Sequence, residues 1–194
     1  CADCIAVKQK PKNQGKKIQI LDTEITPFSK VYFDLIDFGG SSENGYRYGL
    51  SYQCGLTRYL DIEPIKDKTN ESVCAALIKL FLRYGVPDRA VCDNGKEVIG
   101  RANKILYDML GIYVSQISPL RPQGNLVERA HKEIGDLLKI YQIGLDKWDT
   151  YIPLIIFYYN TAPTEILRGL SPFEALYLRH PTPPVSFSIK NHIK

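Results

Sequence analysis

The chain has 194 residues, of which 44% are hydrophobic and 11% aromatic, so it has the size of one domain and too many core-forming side chains for an intrinsically disordered protein. Its apolar runs are shorter than the ~18 residues of a membrane-spanning helix, which excludes a membrane span within these residues. The formal charge of +4 arises at the two ends, because residues 1–20 carry +4, residues 179–194 carry +3 and residues 21–178 carry −3. The basic balance therefore says little about nucleic-acid binding by the central part.

The two ends of the sequence differ in composition from the part between them. Residues 1–20 are rich in lysine and predict a basic linker, while residues 179–194 contain the run His-Pro-Thr-Pro-Pro, which is typical of an extended linker. Residues 21–178 then form the domain. The chain begins with Cys1 and its one methionine is Met109, so we expect it to be part of a longer polypeptide. Five cysteines without secretory features predict an intracellular, reduced protein.

Three strand patterns come first in the predicted order of elements. Residues 31–36 are apolar on both faces, as in a central strand covered by helices, and residues 46–52 and 56–64 continue as a meander. Thr69 is a suitable N-cap for a helix that ends before Gly85. The elements that follow are a strand at 89–92, a helix at 98–109, a strand at 113–117, a loop at 118–125, a helix at 126–143 and further helix. This order predicts an α/β fold in which a mixed five-stranded sheet is flanked by helices.

Three acidic residues lie where catalytic carboxylates are expected. Asp34 interrupts the apolar first strand, Asp93 follows the strand at 89–92, and Glu128 is in the first turn of a helix. Each alone has a structural explanation, namely a salt bridge, a turn and a helix cap. Together they form a set of oxygen ligands suited to Mg²⁺ or Mn²⁺, and two ions ~3.5–4 Å apart support phosphodiester chemistry. Asp37 competes with Asp34, but it lies three positions along the strand and so on the opposite face.

The helix at 126–143 has two chemically different faces. One is an apolar stripe that we expect to be buried, formed by Val127, Ala130, Ile134, Leu137, Leu138 and Tyr141. The other carries Glu128, His131, Lys132, Gly135 and Lys139. A carboxylate and two lysines suit a phosphate backbone beside a metal site, and an ordinary solvated face is the alternative.

Several short motifs occur in order along the chain. They include Val31-Tyr32-Phe33-Asp34, Gly85-Val86-Pro87, Asp93-Asn94-Gly95-Lys96-Glu97, Pro122-Gln123-Gly124-Asn125, Leu126-Val127-Glu128-Arg129, Tyr159-Asn160-Thr161 and Ser171-Pro172-Phe173-Glu174. Their order and spacing resemble the catalytic core of retroviral and gypsy-type retrotransposon integrases. The resemblance implies a ribonuclease-H-like fold in which Asp34, Asp93 and Glu128 bind two divalent ions, Mg²⁺ or Mn²⁺.

The resemblance also implies a DNA-binding surface around the three acids. Lys132 and Lys139 would hold DNA phosphates, and Arg121, Gln123 and Asn125 would contact DNA from a loop beside the site. Arg121 stands where the family usually has histidine.

Two cysteines at the start of the chain resemble half of a zinc module. Cys1 and Cys4 match the cysteine pair of a His-His-Cys-Cys module whose histidines would lie upstream. Because two cysteines cannot complete a four-coordinate site, we expect no zinc in this fragment.

The function that the resemblance implies is that of a divalent-metal-dependent polynucleotidyl transferase. It would process the 3′ ends of donor DNA by hydrolysis and join them to target DNA. The expected partners are double-stranded DNA and further copies of the chain, and the expected place of action is the nucleus, reached through the cytoplasm.

Two alternatives stay open: a ribonuclease-H-like nuclease that only hydrolyses, and a domesticated, non-catalytic DNA-binding or assembly module. The spacing between Asp93 and Glu128 is one residue shorter than is usual in the family, which keeps the second alternative open. The apolar stripe of the helix is nevertheless in phase with Glu128 facing outward. We therefore expect the loop at 118–125 to absorb the missing residue and the Glu128 carboxylate to point toward Asp34 and Asp93.

Overall fold

A computed structural model describes residues 26–93, 95, 98, 100–116 and 125–182, apart from the side chains of Asn125, Leu126 and Glu128. The predicted linker at residues 1–20, with Cys1 and Cys4, lies outside the described residues, as does most of the predicted linker at 179–194.

Five strands form one mixed sheet, as the sequence predicts. They are β1 Lys30–Asp37, β2 Tyr48–Cys54, β3 Leu60–Ile65, β4 Arg89–Cys92 and β5 Tyr113–Gln116. Their order is β3-β2-β1-β4-β5, with antiparallel pairing of β1 with β2 and of β2 with β3, and parallel pairing of β4 with β1 and with β5. The central position of β1 explains why its apolar residues occur on both faces.

The third strand begins later than the sequence predicts. A strand over 56–64 was expected, but residues 55–57 form a turn and β3 starts at Leu60. The N–H of Arg58 donates to the carbonyl of Cys54 at 3.0 Å. Arg58 also has a φ of 62°, and this left-handed conformation cannot continue a strand.

Helices follow the first three strands and then alternate with β4 and β5. They are α1 Asn70–Tyr84, α2 Arg101–Leu110, α3 Asn125–Ile140, α4 Trp148–Thr161 and α5 Pro172–Tyr177, with a short 3-10 helix at Glu165–Leu167. The described helices include none with the length and apolar character needed to cross a bilayer.

The ends of these helices follow local capping rules. Thr69 caps α1 as predicted, because its hydroxyl accepts the N–H of Ser72 at 3.3 Å. Gly85, with a φ of 90°, follows the last residue of α1. Helix α3 ends at Ile140 rather than at residue 143, because Gln142 adopts a φ of 54° and turns the chain away.

The two faces of the sheet carry separate apolar clusters. The first face buries Val31, Phe33, Leu50 and Tyr52 with residues of α1 and α2, including Leu77, Leu80 and Tyr107. The second buries Leu60 and Ile62 with residues of α3 and α4, including Ile134, Trp148 and Ile155. A third, smaller cluster joins Tyr32, Val91 and Val127 on this second face. The site described below lies between the sheet and α3.

Gly49 in β2 lies where the sheet meets Phe38. A Cβ at this position would be 2.7 Å from Cγ2 of Ile62 and 3.0 Å from Cε2 of Phe38. Phe38 cannot easily move, because its ring stacks on Trp148 with centroids 3.8 Å apart.

We therefore expect Gly49→Ala to lower the free energy of unfolding by about 1–3 kcal/mol, measured by urea denaturation. Gly135 in α3 is the matched control, because a Cβ there meets nothing within 4 Å. Gly135→Ala should raise the free energy of unfolding by about 0.5–1 kcal/mol. Equal stability of the Gly49→Ala variant and the wild type would contradict this account of the packing.

Candidate active site

Asp34 lies in β1, and Asp93 directly follows the neighbouring strand β4. The parallel register of β1 and β4 pairs Tyr32 with Val91. Because side chains two residues apart on a strand share a face, Asp34 lies on the face of Tyr32, and Asp93 on that of Val91. Extending this register two residues past its last pair predicts that Asp34 and Asp93 are neighbours, just beyond the end of β4. Because adjacent strands are ~4.8 Å apart, we expect the two carboxylates to lie within reach of one cation.

The carboxylates differ in how far they are exposed. The side chain of Asp34 is 31% exposed, and its Oδ1 accepts the N–H of Leu35 at 2.8 Å. Asp93 is exposed, and its Oδ1 accepts the N–H of Gly95 at 3.0 Å. The expected turn after Asp93 is therefore present, and it is compatible with a place for Asp93 in the site.

Helix α3 lies over these two strands. Val127, in its first turn, is buried against Tyr32 and Val91, which precede the two aspartates by two residues in their strands. Four residues of the predicted apolar stripe, Val127, Ala130, Ile134 and Leu138, are buried, and the other two, Leu137 and Tyr141, are partly buried against the same side of the sheet. Helix α3 therefore has the rotation about its axis that the stripe predicts.

The position of Glu128 in the chain follows from this packing. Glu128 directly follows Val127 and precedes His131 by one turn, so the main chain of α3 brings it to the edge where Asp34 and Asp93 lie. Its side chain lies outside the description. The expectation that the carboxylate points to the aspartates stays a prediction.

The loop residues expected to contact DNA fall outside the described part of the chain. This holds for Arg121, for Gln123 and for the side chain of Asn125, the first residue of α3. The role of the loop at 118–125 in absorbing the shorter spacing also stays a prediction.

His131 does not lie on the exposed polar face of α3, and the prediction that placed it there is wrong. Its Nε2 is 2.8 Å from the hydroxyl of Ser51, and that hydroxyl donates to the main-chain carbonyl of Asp34 at 2.9 Å. The physical reason is spacing, because His131 is four residues after Val127 and three before Ile134 and so shares their buried side. The spacing of His131 from Val127 and Ile134 can be read in the sequence, but its polarity favours the polar face of the helix.

The hydrogen bonds fix the tautomer of His131. Ser51 has one hydroxyl hydrogen, and the carbonyl of Asp34 can only accept, so that hydrogen lies on the carbonyl. The Nε2 of His131 must then carry the hydrogen of its bond to Ser51. The Nδ1 atom, 3.9 Å from Oδ2 of Asp34, is left unprotonated.

Burial lowers the pKa of His131 to about 4, which keeps the ring neutral at neutral pH.

Asp37 is engaged elsewhere, which supports the choice of Asp34. Its carboxylate accepts hydrogen bonds from Nε and Nη2 of Arg47 at 3.2 and 3.1 Å and from the N–H of Gly39 at 2.9 Å. The bond to Arg47 is the main cause that lowers the pKa of Asp37. Asp37 therefore belongs to an exposed ion pair.

Both predicted phosphate-binding lysines lie on the exposed side of α3. Lys132 is exposed, and Lys139 has an 82% exposed side chain whose Nζ is 3.7 Å from Oδ1 of Asp136. An exposed pair of this kind is weak, so Lys139 can exchange it for a phosphate at little cost.

The donor chemistry of the site fits a hard divalent cation. Within the described side chains, no three His, Cys, Asp or Glu residues form a group that could hold a metal ion. Asp34 and Asp93 supply oxygen ligands of the kind that Mg²⁺ and Mn²⁺ prefer. Cys92 is buried in the apolar cluster on the other face of the sheet, and burial, with the charges of Asp93 and Asp34, raises the pKa of its thiol to about 12.

The buried, neutral His131 makes stability depend on pH. Its pKa is about 4 in the folded chain against an ordinary 6.5, so between these values the unfolded chain binds a proton that the folded chain does not. We expect the free energy of unfolding to fall by up to about 3 kcal/mol as the pH falls through this range. Urea denaturation at about pH 7 and about pH 4.5 should show that the free energy of unfolding falls less in His131→Gln than in the wild type. An equal fall in the wild type and in His131→Gln would show that His131 is not the cause.

Comparison with known proteins connects this geometry to a family. No protein-family model matches the chain. It is 27% identical over 176 residues to the retrovirus-related Pol polyprotein from transposon 412 of Drosophila melanogaster, a match that covers 87% of this chain and 14% of that protein. It is 30% identical over 137 residues to the Gag-Pol polyprotein of feline leukemia virus, covering 69% of this chain and 8% of that one. It is 24% identical over 195 residues to the gypsy retrotransposon integrase-like protein 1 of Bos taurus, covering 98% of this chain and 38% of that one. The chain thus spans less than half of each of these relatives.

Two solved structures share the fold. The catalytic core domain of BIV integrase superposes with a TM-score of 0.63 at 21% identity, covering 78% of this chain and 95% of that domain. The catalytic core domain of HTLV-2 integrase, solved in complex with magnesium in a trimeric form, gives a TM-score of 0.62 at 16% identity, covering 78% and 97%. The chain is therefore a homologue of retrotransposon Pol polyproteins and gypsy integrase-like proteins, and it has the ribonuclease-H-like fold of a retroviral integrase catalytic core.

Proposed function

We propose that this chain is the catalytic core of a retroelement integrase, a polynucleotidyl transferase that processes the 3′ ends of donor DNA and joins them to target DNA. The observation that carries the proposal is the placement of α3. Val127 packs on the Tyr32–Val91 pair, and this contact brings the helix that contains Glu128 over the strands that contain Asp34 and Asp93. The homologous Pol polyproteins and integrase-like proteins support the same assignment.

Each acidic residue has a separate role in the proposed reaction. Asp34 and Asp93 would hold divalent ions, and Glu128 would complete the ligand set from the helix. Two divalent ions, when bound, supply activation of the nucleophile and stabilisation of the leaving oxygen. Mg²⁺ is the proposed ion, with Mn²⁺ as a substitute, and the magnesium complex of the HTLV-2 neighbour supports it.

The chain carries out two phosphoryl transfers at one site in this proposal. A water molecule attacks a phosphodiester near the donor end and leaves a free 3′-hydroxyl. That hydroxyl then attacks a phosphodiester of the target, so that one phosphodiester bond breaks as another forms. Asp34, Asp93 and Glu128 orient the phosphate in both steps, and no covalent intermediate with the protein is required.

Double-stranded DNA and further copies of the chain are the proposed partners. Lys132 and Lys139 project from the exposed side of α3 and would hold phosphates next to the carboxylates. The trimeric form of the HTLV-2 neighbour supports a homo-oligomer. Because the target is chromosomal DNA, the proposed place of action is the nucleus.

The triad is tested by isosteric substitutions with a matched control. Asp34→Asn, Asp93→Asn and Glu128→Gln each remove one charge, and each should lower the Mg²⁺-dependent rate at least about 100-fold, since a bound metal contributes several kcal/mol to such reactions. Asp37→Asn should stay within about twofold of the wild type, because Asp37 is occupied by Arg47. Without metal, the melting temperatures of the first two variants should equal or exceed that of the wild type, because adjacent carboxylates repel each other.

The products distinguish the proposal from its alternatives. The assay supplies a donor duplex and a circular target and follows both trimmed ends and joined strands on a gel. Trimming together with joining is expected. Trimming without joining would identify a hydrolytic nuclease, and DNA binding without either product would identify a non-catalytic module. High activity of Asp34→Asn with loss in Asp37→Asn would overturn the assignment of the first acid.

The role of the lysines is tested by the salt dependence of DNA binding. Lys132→Gln and Lys139→Gln should each reduce the slope of log affinity against log salt by about 0.9, the value for one lost phosphate contact. Lys104→Gln is the control, because Lys104 is exposed on α2, which packs on the other face of the sheet. Equal slopes for all three variants and the wild type would remove α3 from the DNA-binding surface.

A further inference from the structure

We propose that His131 is a positioning residue. It sets the distance and the rotation of helix α3, which contains Glu128, relative to strand β1, which contains Asp34. This inference rests on the proposed function, because it concerns how the carboxylates of that site are brought together. It assigns to His131 no contact with substrate.

The link between the two elements runs through one buried hydroxyl. The Nε2–H of His131 donates to Oγ of Ser51 over 2.8 Å, and the Ser51 hydroxyl donates to the carbonyl of Asp34 over 2.9 Å. Ser51 and Asp34 are direct partners in the antiparallel register of β1 and β2. Helix α3 is therefore joined by hydrogen bonds to the main chain of the same residue whose side chain is proposed to bind metal.

The surroundings make this link difficult to replace. Ser51 is fully buried, and the side chain of His131 is 18% exposed. Water has little access to the bond, so its loss would leave a buried donor or acceptor without a partner. Such directional bonds are stronger and better defined in a poorly solvated environment than at the surface.

The apolar contacts of α3 do not supply the same constraint. The packing of Val127 on Tyr32 and Val91 holds the helix against the sheet, but apolar contacts are not directional. The buried stripe sets which side of α3 faces the sheet, and the hydrogen bond one turn after Val127 narrows the rotation that remains, since α-helical side chains change direction by about 100° per residue. We infer that the bond at position 131 refines the direction in which position 128 faces.

Substitutions that mimic one imidazole nitrogen at a time separate this role from others. In His131→Gln the amide nitrogen can take the place of Nε2–H, whereas in His131→Asn the shorter amide reaches only the position of Nδ1. Ser51→Ala removes the bond from the other side. If the bond positions α3, His131→Asn and Ser51→Ala should each weaken Mn²⁺ binding by about tenfold. The Mn²⁺ affinity of His131→Gln should stay within about threefold of that of the wild type.

The measurement is isothermal titration of the whole 194-residue chain with MnCl₂, at a temperature where circular dichroism shows every variant to be fully folded. The double variant His131→Asn with Ser51→Ala should be no weaker than either single variant, because both remove one bond. Loss of general stability would lower the melting temperatures but would not give this order of affinities. Unchanged Mn²⁺ affinity in His131→Asn and Ser51→Ala would overturn the inference and leave the proposed function standing.

A second measurement needs neither a variant nor a metal. The ¹⁵N chemical shifts of the imidazole in the metal-free chain report which nitrogen carries the hydrogen. The inference requires Nε2–H, and an Nδ1–H tautomer would overturn it. A wild type that binds no Mn²⁺, with Asp34→Asn equally inert, would instead overturn the proposed function and this inference with it.

Discussion

The parallel pairing of β1 with β4 is the constraint on which the rest of the site depends. Its register places Tyr32 beside Val91, and these two side chains form the surface on which Val127 is buried. Extended by two residues, the same register predicts that Asp34 is next to Asp93, which directly follows β4. One set of main-chain hydrogen bonds thus determines both the spacing of the two carboxylates and the position at which α3 crosses them. A shift by one residue would move each aspartate to the opposite face of its strand and remove the site.

Polar side chains of β2 attach the two helices on this face of the sheet. Ser51 bonds to His131 of α3, and Gln53 donates to the hydroxyl of Tyr159 of α4 at 3.0 Å. Both β2 residues are fully buried, where an unpaired polar group is costly. The same bonds that satisfy the Ser51 hydroxyl and the Gln53 amide N–H groups restrict how the helices can move, whereas Oε1 of Gln53 has no hydrogen-bond partner among the described residues. Catalysis by two metal ions requires this restriction, because ligands from separate elements must meet within a few tenths of an ångström.

The elements that could be predicted from the sequence are those with strong local signals. The apolar residues on both faces of β1 identified the central strand, and the stripe beginning at Val127 gave the rotation of α3. The start of β3 could not be predicted, because it depends on the left-handed conformation of Arg58. The inward direction of His131 could not be predicted in the same way, because its polarity grouped it with Lys132 and Lys139 on the polar face, whereas the buried hydroxyl of Ser51 offers it a partner. That partner is 80 residues away in the chain, and no local pattern contains it.

The central claim is that three carboxylates, two from the sheet and one from α3, form a divalent-metal site. The most direct measurement is a crystal structure of the chain soaked in MnCl₂, with the ions located by their anomalous scattering. The account predicts Mn²⁺ bound to the carboxylates of Asp34 and Asp93, with the Glu128 carboxylate directed to the same site. A structure with no Mn²⁺ at the two aspartates, or with Glu128 on the far side of α3 and no rotamer able to reach them, would contradict it.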